Sequence, residues 1–544
     1  MKKRLPIGIS DFRDVITANG YYVDKTLLIA DWLQTIRGNV TLITRPRRFG
    51  KTLNMTMLRE FFDITRDSKA LFADLAIAST DHLAQMNQWP VIFLSFKDCK
   101  NDQAQTMRCI LRQLQEAYLA FYLQQPVLDR YTKEKLERLL ALLTQEQWQD
   151  MSAVSDSIYF LSKLLCQHYG RRVIILIDEY DTPMISAYEQ GYYAEVRALF
   201  TSLYGTALKD NPYLERAMLT GIHRLAKENI FSGLNNLEVC TVLDHDYCPY
   251  FGLTSAETEA LLAYYGLPLD DDVQKMYDGY HFGHQEMYNP WSILNYAKKQ
   301  QLLPYWTNTA SNALLVEAML TADKRTQKSF EQLLAQGQTN VAVDLQTSFF
   351  ELNQAATLWG LFLGSGYLTT NEVPTLDALQ VNVWIPNQEV RASFRQIIER
   401  YGGFADNSLD DLFGALLRRD IADFQMVYEQ ILLTCTSFHD HAAENAYHML
   451  FLGMCVYLNG EYLVSSNIES GHGRADISLT AKNPHRPSFI IEFKQGKDLE
   501  RLAQAALAQI HEQKYYAGLT GETLLLGIAH DLSLIHILRN SPMV

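Results

Sequence analysis

Basic residues are in deficit: 48 Lys and Arg stand against 62 Asp and Glu, a net charge of −14. A chain this acidic does not coat nucleic acid nonspecifically, so any contact with DNA or RNA has to come from a local basic surface. Long apolar runs are missing too. No stretch approaches the roughly 18 residues needed to cross a bilayer. The start, MKKRLPIGISDFRDVI, is basic without a following apolar segment, so no signal peptide and no membrane partner are expected. Cysteine is scarce and unpatterned: Cys99, Cys109, Cys166, Cys240, Cys248, Cys435 and Cys455 form no CxxC pair. That argues against a zinc module or a disulfide framework and leads to the expectation of reduced, mostly buried thiols in a cytoplasmic protein. Internal repeats and low-complexity linkers are also lacking, so the domains are expected to be packed rather than tethered.

What is present is an ordinary folded composition, 48% hydrophobic and 20% charged, over 544 residues. That length predicts two to four domains. From 39 to 240 short apolar runs (NVTLIT, WPVIFLSF, RRVIILIDEY, ERAMLTGI) alternate with helical patterns such as LNMTMLREFFDI and AVSDSIYFLSKLLCQHY. Buried strands separated by helices predict a parallel sheet covered on both faces. Helices with aromatic turns follow (YFGLTSAETEALLAYYG, KMYDGYHFG, MYNPWSILNYAKK), reading as a helical or winged-helix-like lid. A largely helical stretch with a strand at LQVNVWIP comes next. After Asn445 come an apolar helix (AYHMLFLGMCVYL), strands (EYLVSSNIES, RADISLTA, SFIIEFK) and a last helix (LERLAQAALAQIHEQKYYAGL). The expected division is 1–245, 246–340, 341–435 and 436–531, with 532–544 as a tail.

The text TLITRPRRFGKTLNM sets Arg45, Pro46, Arg47, Arg48, Phe49, Gly50, Lys51 and Thr52 between a buried strand and a helix. Backbone N–H groups at a helix start cradle phosphate oxygens, a lysine bridges the β- and γ-phosphates, and a threonine hydroxyl ligates Mg²⁺. Arg45 stands where the usual GxxxxGK[ST] pattern has its first glycine. Arg47 and Arg48 contact phosphate or a neighbouring subunit of a homo-oligomer, or pair with Asp178 or Asp181. In VIILIDEYD a second buried strand ends in Asp178, suited to holding Mg²⁺, and Glu179, suited to activating water. The alternative is that both carboxylates merely cap a strand end. Thr220, ending a third strand, is a candidate γ-phosphate sensor. Arg224 is a candidate for supplying charge, with His223 and Lys227 nearby; a strand cap and solvated bases are the bland alternative.

Near the C-terminus, GHGRADISL and SFIIEFK carry a second signal. Glu492 and Lys494 are two apart on a strand and share a face. A hairpin across KNPHRPS brings Asp476 beside Glu492. Two adjacent carboxylates repel, and a divalent cation (Mg²⁺, with Mn²⁺ as a substitute) relieves the repulsion. Lys494 then polarises water or steadies a pentavalent phosphate, so the parts suit metal-assisted phosphodiester hydrolysis. Arg391, Arg395 and Arg400 read better as a solvated helix side than as a DNA contact. Tyr277, Tyr280, His281 and Phe282 read better as lid core than as a base-stacking platform.

These residues, with LPIGISDFRDVI, YYVDKT, RPRRFGKT, IDEYDTP, LTGIHRLAKENIFSGLNN, YFGLT, YDGYHFG and YNPWSILN, resemble the bacterial AAA-ATPase-like family, often fused to a PD-(D/E)XK nuclease-like domain. Arginine in place of the first glycine looks like that family's own phosphate loop. The resemblance implies an α/β chain: a P-loop (ASCE-type) parallel-sheet ATPase domain, the lid, and a C-terminal α/β nuclease-like domain. It also implies that Glu444 is the acidic helix residue of the nuclease superfamily and Gln509 its polar helix contact. The expected activity is ATP binding and hydrolysis coupled to metal-dependent cleavage, with DNA as the partner. The alternative is a nucleotide-switched scaffold whose nuclease fold only binds. From Leu532 onward, LSLIHI resembles a translated sequencing-adapter end; a real edge strand fits its alternation as well.

Overall fold

The computed structural model describes residues 2–35, 39–145, 154–225, 231, 234–306, 323–346, 354–375, 380–393, 408–434, 451–452, 454–458, 461–470, 473–517, 519–531 and 534–540. The chain divides into two units. The first holds Met1–Trp306, Ala342–Val381 and Pro386–Glu389; the second holds Thr307–Val341, Asn382–Ile385 and Val390–Val544.

The first unit is built on five strands: β1 (Val40–Thr44), β2 (Val91–Ser95), β3 (Val173–Asp178), β4 (Leu214–Gly221) and β5 (Leu237–Cys240). They lie in the order β2-β3-β4-β1-β5, and every pairing is parallel. The all-apolar, β-branched runs of β1 and β3 are buried along their whole length, as interior strands of a parallel sheet require. The four strands expected from the sequence are all present. The fifth, LEVC, is only four residues long, carries a glutamate and is mostly half-buried, and nothing in its pattern announced it. Because the strands run one way, Thr44, Ser95, Asp178 and Thr220 all sit at or near the sheet's C-terminal edge, where α/β folds place ligands. The register opposes Ile43 to Thr220 and Ser95 to Asp178.

Beyond β5, helices Ser255–Tyr265, Asp271–Tyr277 and Pro290–Lys299 enclose a short hairpin of β6 (Tyr280–Phe282) and β7 (Gln285–Met287). Thr254 and Glu257 close the first helix with a reciprocal capping box. Tyr277, Tyr280 and Phe282 are buried, in keeping with their reading as core. The expectation of reduced thiols throughout is corrected at one place: Cys99 and Cys109 are joined as a disulfide, with Cα atoms 5.1 Å apart. They bracket the turn from β2 into the helix Gln103–Tyr122, and a loop folding back on a helix needs no CxxC spacing. Two short strands, β8 (Gln338–Ala342) and β9 (Gln380–Trp384), follow in the sequence.

The second unit carries β10 (Tyr462–Ser470), β11 (Gly473–Ala481), β12 (Ser488–Gln495), β13 (Thr523–Asp531) and β14 (Leu534–Asn540), in sequential order. Only β12 and β13 are parallel, and the helix Leu499–Gln513 makes the crossover between them. That helix presses so closely on the sheet that a Cβ at Gly527 would lie 2.4 Å from the carbonyl oxygen of Ala503, so only glycine fits. Residues 534–540 pair along all of their length with β13, and Ile535 and Ile537 enter the core: the tail occupies an edge-strand position. Arg391 packs against Gly337, while Arg395, Arg400, Lys227 and Glu444 lie outside the described residues. Among the described residues no helix is long and apolar enough to cross a membrane.

Candidate nucleotide and metal sites

The candidate phosphate loop runs from the end of β1 to Gly50, whose φ of 82° starts the helix Lys51–Phe62 in the left-handed region that glycine adopts freely. Arg48 (φ 70°) and Glu179 (φ 51°) share that region without glycine's freedom, so their surroundings have to hold them there. Such outliers gather at functional sites.

Asp178 is the hub. Its carboxylate accepts from the hydroxyl of Thr52 at 2.8 Å and from that of Thr220 at 2.7 Å, with Ser95 Oγ at 3.5 Å. Three parallel strands and the helix start thus deliver one side chain each to a single point. Burial, then the neighbouring Glu179, pushes the Asp178 carboxyl up from its ordinary value, and the two threonine hydroxyls pull against that shift. Lys51 is buried, and burial lowers its ammonium below the usual lysine value. Its Nζ donates to the carbonyls of Arg45 and Pro46, both at 2.8 Å, so the loop's lysine is folded back on the loop itself. Glu179 accepts from Thr182 Oγ1 at 3.0 Å.

Arg45 is wholly buried. Its guanidinium donates to the carbonyls of Thr44 (2.9 Å) and Cys240 (3.0 Å) and lies over the rings of Phe251 and Phe282. The side chain is engaged there rather than in the Lys51–Asp178 group. Arg48 stacks on Trp291 at 4.2 Å, and the charge of Arg47 acts on Glu189 and His223.

Of the next two residues of IDEYD, sequence reasoning gave Tyr180 no role and named Asp181 only as a partner for Arg47 or Arg48. Asp181 accepts from the backbone N–H of Ile222 (2.8 Å) and His223 (2.9 Å), and Tyr180 Oη donates to the carbonyl of His223 at 2.6 Å. Together they clamp the turn after β4 that carries Arg224. Burial raises the Asp181 carboxyl to about 6 and lowers the His223 imidazole to about 3. A two-residue spacing beyond Glu179 carries no signal by itself. A mostly apolar cavity beside Gly50 was missed as well; Tyr22, Val23, Phe49, Leu53, Leu253 and Leu294 are among its walls.

In the second unit the β11–β12 hairpin pairs Ile477 with Ile491, which sets Asp476 opposite Glu492 as expected from KNPHRPS. Asp476 N–H donates to Glu492 Oε2 at 3.3 Å, and Phe493 N–H donates to Asp476 Oδ2 at 2.8 Å. Lys494 Nζ lies 3.4 Å from Glu492 Oε1, and Gln509 Nε2 donates to the same oxygen. Gln509 also reaches Tyr515 Oη at 3.1 Å, a neighbour the sequence did not reveal. Glu492 is 2% exposed, and burial followed by the charge of Asp476 raises its carboxyl to about 7. Two close carboxylates, one of them reluctant to ionise, form a donor set that a divalent cation fits. At the other site the oxygens of Thr52 and Asp178 fit a smaller Mg²⁺ demand.

Residues 6–231 match the family model described as predicted AAA-ATPase, AAA-ATPase-like, and residues 442–529 match that of the PD-(D/E)XK nuclease superfamily. A relative from Azotobacter chroococcum mcd 1, an uncharacterized protein in the vnfD 5′ region, is 27% identical over 557 residues, covering 97% of this chain and 96% of its own length. The chain therefore joins an AAA-ATPase-like domain, with its Gly50-Lys51-Thr52 loop at the C-terminal edge of a parallel sheet, to a domain of the PD-(D/E)XK nuclease superfamily.

Proposed function

We propose that the chain binds and hydrolyses ATP at Arg45–Thr52, Asp178 and Glu179, and cuts DNA phosphodiesters at Asp476, Glu492 and Lys494 under the control of that nucleotide. The observation that carries the first half is the meeting of Thr52, Thr220 and Ser95 on Asp178. The second half rests on Glu492 touching Asp476, Lys494 and Gln509 at once.

For the nucleotide, Lys51 exchanges its loop carbonyls for phosphate oxygens, and the N–H groups at the helix start cradle the same phosphates. The apolar cavity beside Gly50 suits a flat nucleobase, with Tyr22 and Leu253 among its walls. Thr52 and Asp178 hold Mg²⁺, Glu179 orients the attacking water, and Thr220 holds Asp178 in place. Arg224, set by the Tyr180–Asp181 clamp, supplies positive charge near the transferred group.

For cleavage, Asp476 and Glu492 are the residues that hold a divalent ion, with Glu444 proposed as a third carboxylate. When bound, the ion lowers the pKa of water and offsets charge on the phosphate. Gln509 fixes the Glu492 carboxylate, and Lys494 donates toward the attacked phosphate or the water. An intracellular setting that supplies ATP and Mg²⁺, and a homo-oligomeric assembly, belong to the same reading.

The deciding experiment measures two activities on the purified chain: ATP turnover with and without DNA, and cleavage of plasmid, linear and single-stranded DNA with Mg²⁺ or Mn²⁺. Cleavage lost in Glu492→Ala and turnover lost in Lys51→Ala are expected. Metal-independent cleavage, or none in the parent chain, removes the nuclease half. Cleavage indifferent to Lys51→Ala removes the nucleotide control.

A further inference from the structure

Every residue of the loop from Arg45 to Phe49 is gripped by a side chain or close backbone from beyond β5. Arg45 lies under Phe251 and Phe282, Pro46 abuts Gly366, and Arg48 stacks on Trp291. Phe49 packs edge-on with Tyr280 and tilted against Phe282, each with ring centroids 5.0 Å away. The carbonyl of Arg47 accepts from Asn289 Nδ2 at 3.4 Å and from Trp306 Nε1 at 3.3 Å.

Trp306 also faces a second way. Its backbone N–H donates to Glu389 Oε1 at 2.7 Å, and Ser292 Oγ bonds both oxygens of the same carboxylate at 2.9 and 2.8 Å. Trp306 is 1% exposed and Glu389 fully buried. These two residues close segments of the first unit: the chain enters the second unit at Thr307 and again, for the last time, at Val390. One carboxylate therefore ties together two covalent exits, and the tryptophan on it hydrogen-bonds the phosphate loop.

We propose that Trp306 is a positioning residue of the phosphate loop, and that Arg47–Trp306–Glu389 links nucleotide occupancy to the exits at 306/307 and 389/390. The inference rests on the nucleotide reading above and names the route of its control. Its physical basis is the state of the loop. Lys51 is bonded to the carbonyls of Arg45 and Pro46 and has to leave both to meet a phosphate. Arg48 sits at a φ of 70°, which only its surroundings hold. Releasing two carbonyls next to a strained residue reorients the Arg47 peptide, and its bond to Trp306 changes with it. A buried hydrogen bond is not surrendered without replacement, so the motion is passed on.

Hydrogen exchange on the full chain, with and without ADP or a non-hydrolysable ATP analogue plus Mg²⁺, tests this alongside a separate nucleotide-binding measurement. In the parent chain, nucleotide is expected to change exchange in peptides covering 302–306 and 386–390 as well as 50–54. Glu389→Leu keeps the approximate size and removes both acceptor oxygens, so the Trp306 N–H and the Ser292 hydroxyl lose their partner. In that variant the response at 50–54 persists and the response at 386–390 is lost; Trp306→Phe removes the bond to Arg47, so the response at 50–54 is altered as well as that at 386–390 lost. Should one variant fail to fold, the other decides alone. Nucleotide binding with unchanged exchange at 302–306 and 386–390 in the parent chain overturns the link and leaves the nucleotide reading standing; no binding at all overturns both.

Discussion

Replacing Glu492 by Gln separates the cost of the buried carboxylate from its use. The side chain is 2% exposed, and its carboxyl is raised from an ordinary 4.5 to about 7 by burial and by Asp476. A folded-state pKa above the unfolded one means that the stability the group contributes is fully present below about 4.5 and is lost as pH rises through about 7. The difference of about 2.5 units corresponds to on the order of 3 kcal/mol at pH 8, since each unit is worth about 1.4 kcal/mol. Without metal, Glu492→Gln is therefore expected to be more stable than the parent chain at pH 8 and close to it at pH 4.5. Mn²⁺ reverses the order at pH 8 once it stands at about a thousandfold excess over its dissociation constant, where it stabilises the parent by about 4.1 kcal/mol and leaves the variant unmoved. Denaturant unfolding of the second unit's transition at the two pH values, in EDTA and in Mn²⁺, reads both effects. A variant less stable than the parent at pH 8 in EDTA, or a parent that ignores Mn²⁺, refutes the reasoning that this carboxylate is held in a strained, cation-ready state.

Lys51→Ala is expected to abolish binding of a fluorescent ADP analogue, whereas Glu179→Gln keeps binding and loses turnover, because only the first removes a phosphate contact; equal losses of binding in both would contradict the roles assigned. Gly527→Val drives a branched side chain into the backbone of Ala503, 2.4 Å from where its Cβ would stand, and is expected to cost more than the ~1–3 kcal/mol of ordinary overpacking, read as a fall in the denaturation midpoint. Arg45→Met leaves the carbonyl of Cys240 without its buried donor and is expected to lower the first unit's melting temperature as well as nucleotide affinity; a variant as stable as the parent would show that the guanidinium is dispensable.

The sheet edge was legible because its strands are buried on both faces: VTLIT and VIILID admit few other readings, and Gly50-Lys51-Thr52 and Asp178-Glu179 follow directly on them. The hairpin pairing of Asp476 with Glu492 was legible for a similar reason, since a period of two and a six-residue turn fix the register within narrow limits. Less could be read where the partner lies far away in sequence. Tyr180 and Asp181 act on the backbone of 222–225, some forty residues on, and no local pattern encodes that. The strand Leu237–Cys240 is too short to be recognised without the neighbour it pairs with. Cys99 and Cys109 meet because a loop folds onto a helix, which spacing alone does not specify.

Arg45 joins these two kinds of information. As a sequence feature it is a departure: an arginine where a phosphate loop has a glycine that lets the backbone turn tightly. In the fold the departure acquires a cause. The guanidinium is buried under Phe251 and Phe282 and fastens the end of β1 to the end of β5, so the loop's entry is held by a side chain rather than left free by the lack of one. A loop held that way depends on the aromatic segment that covers it. The strain at Arg48, the stacking on Trp291 and the bond from Trp306 to Arg47 are then parts of one arrangement, in which the shape of the loop 45–50 is determined from outside the loop.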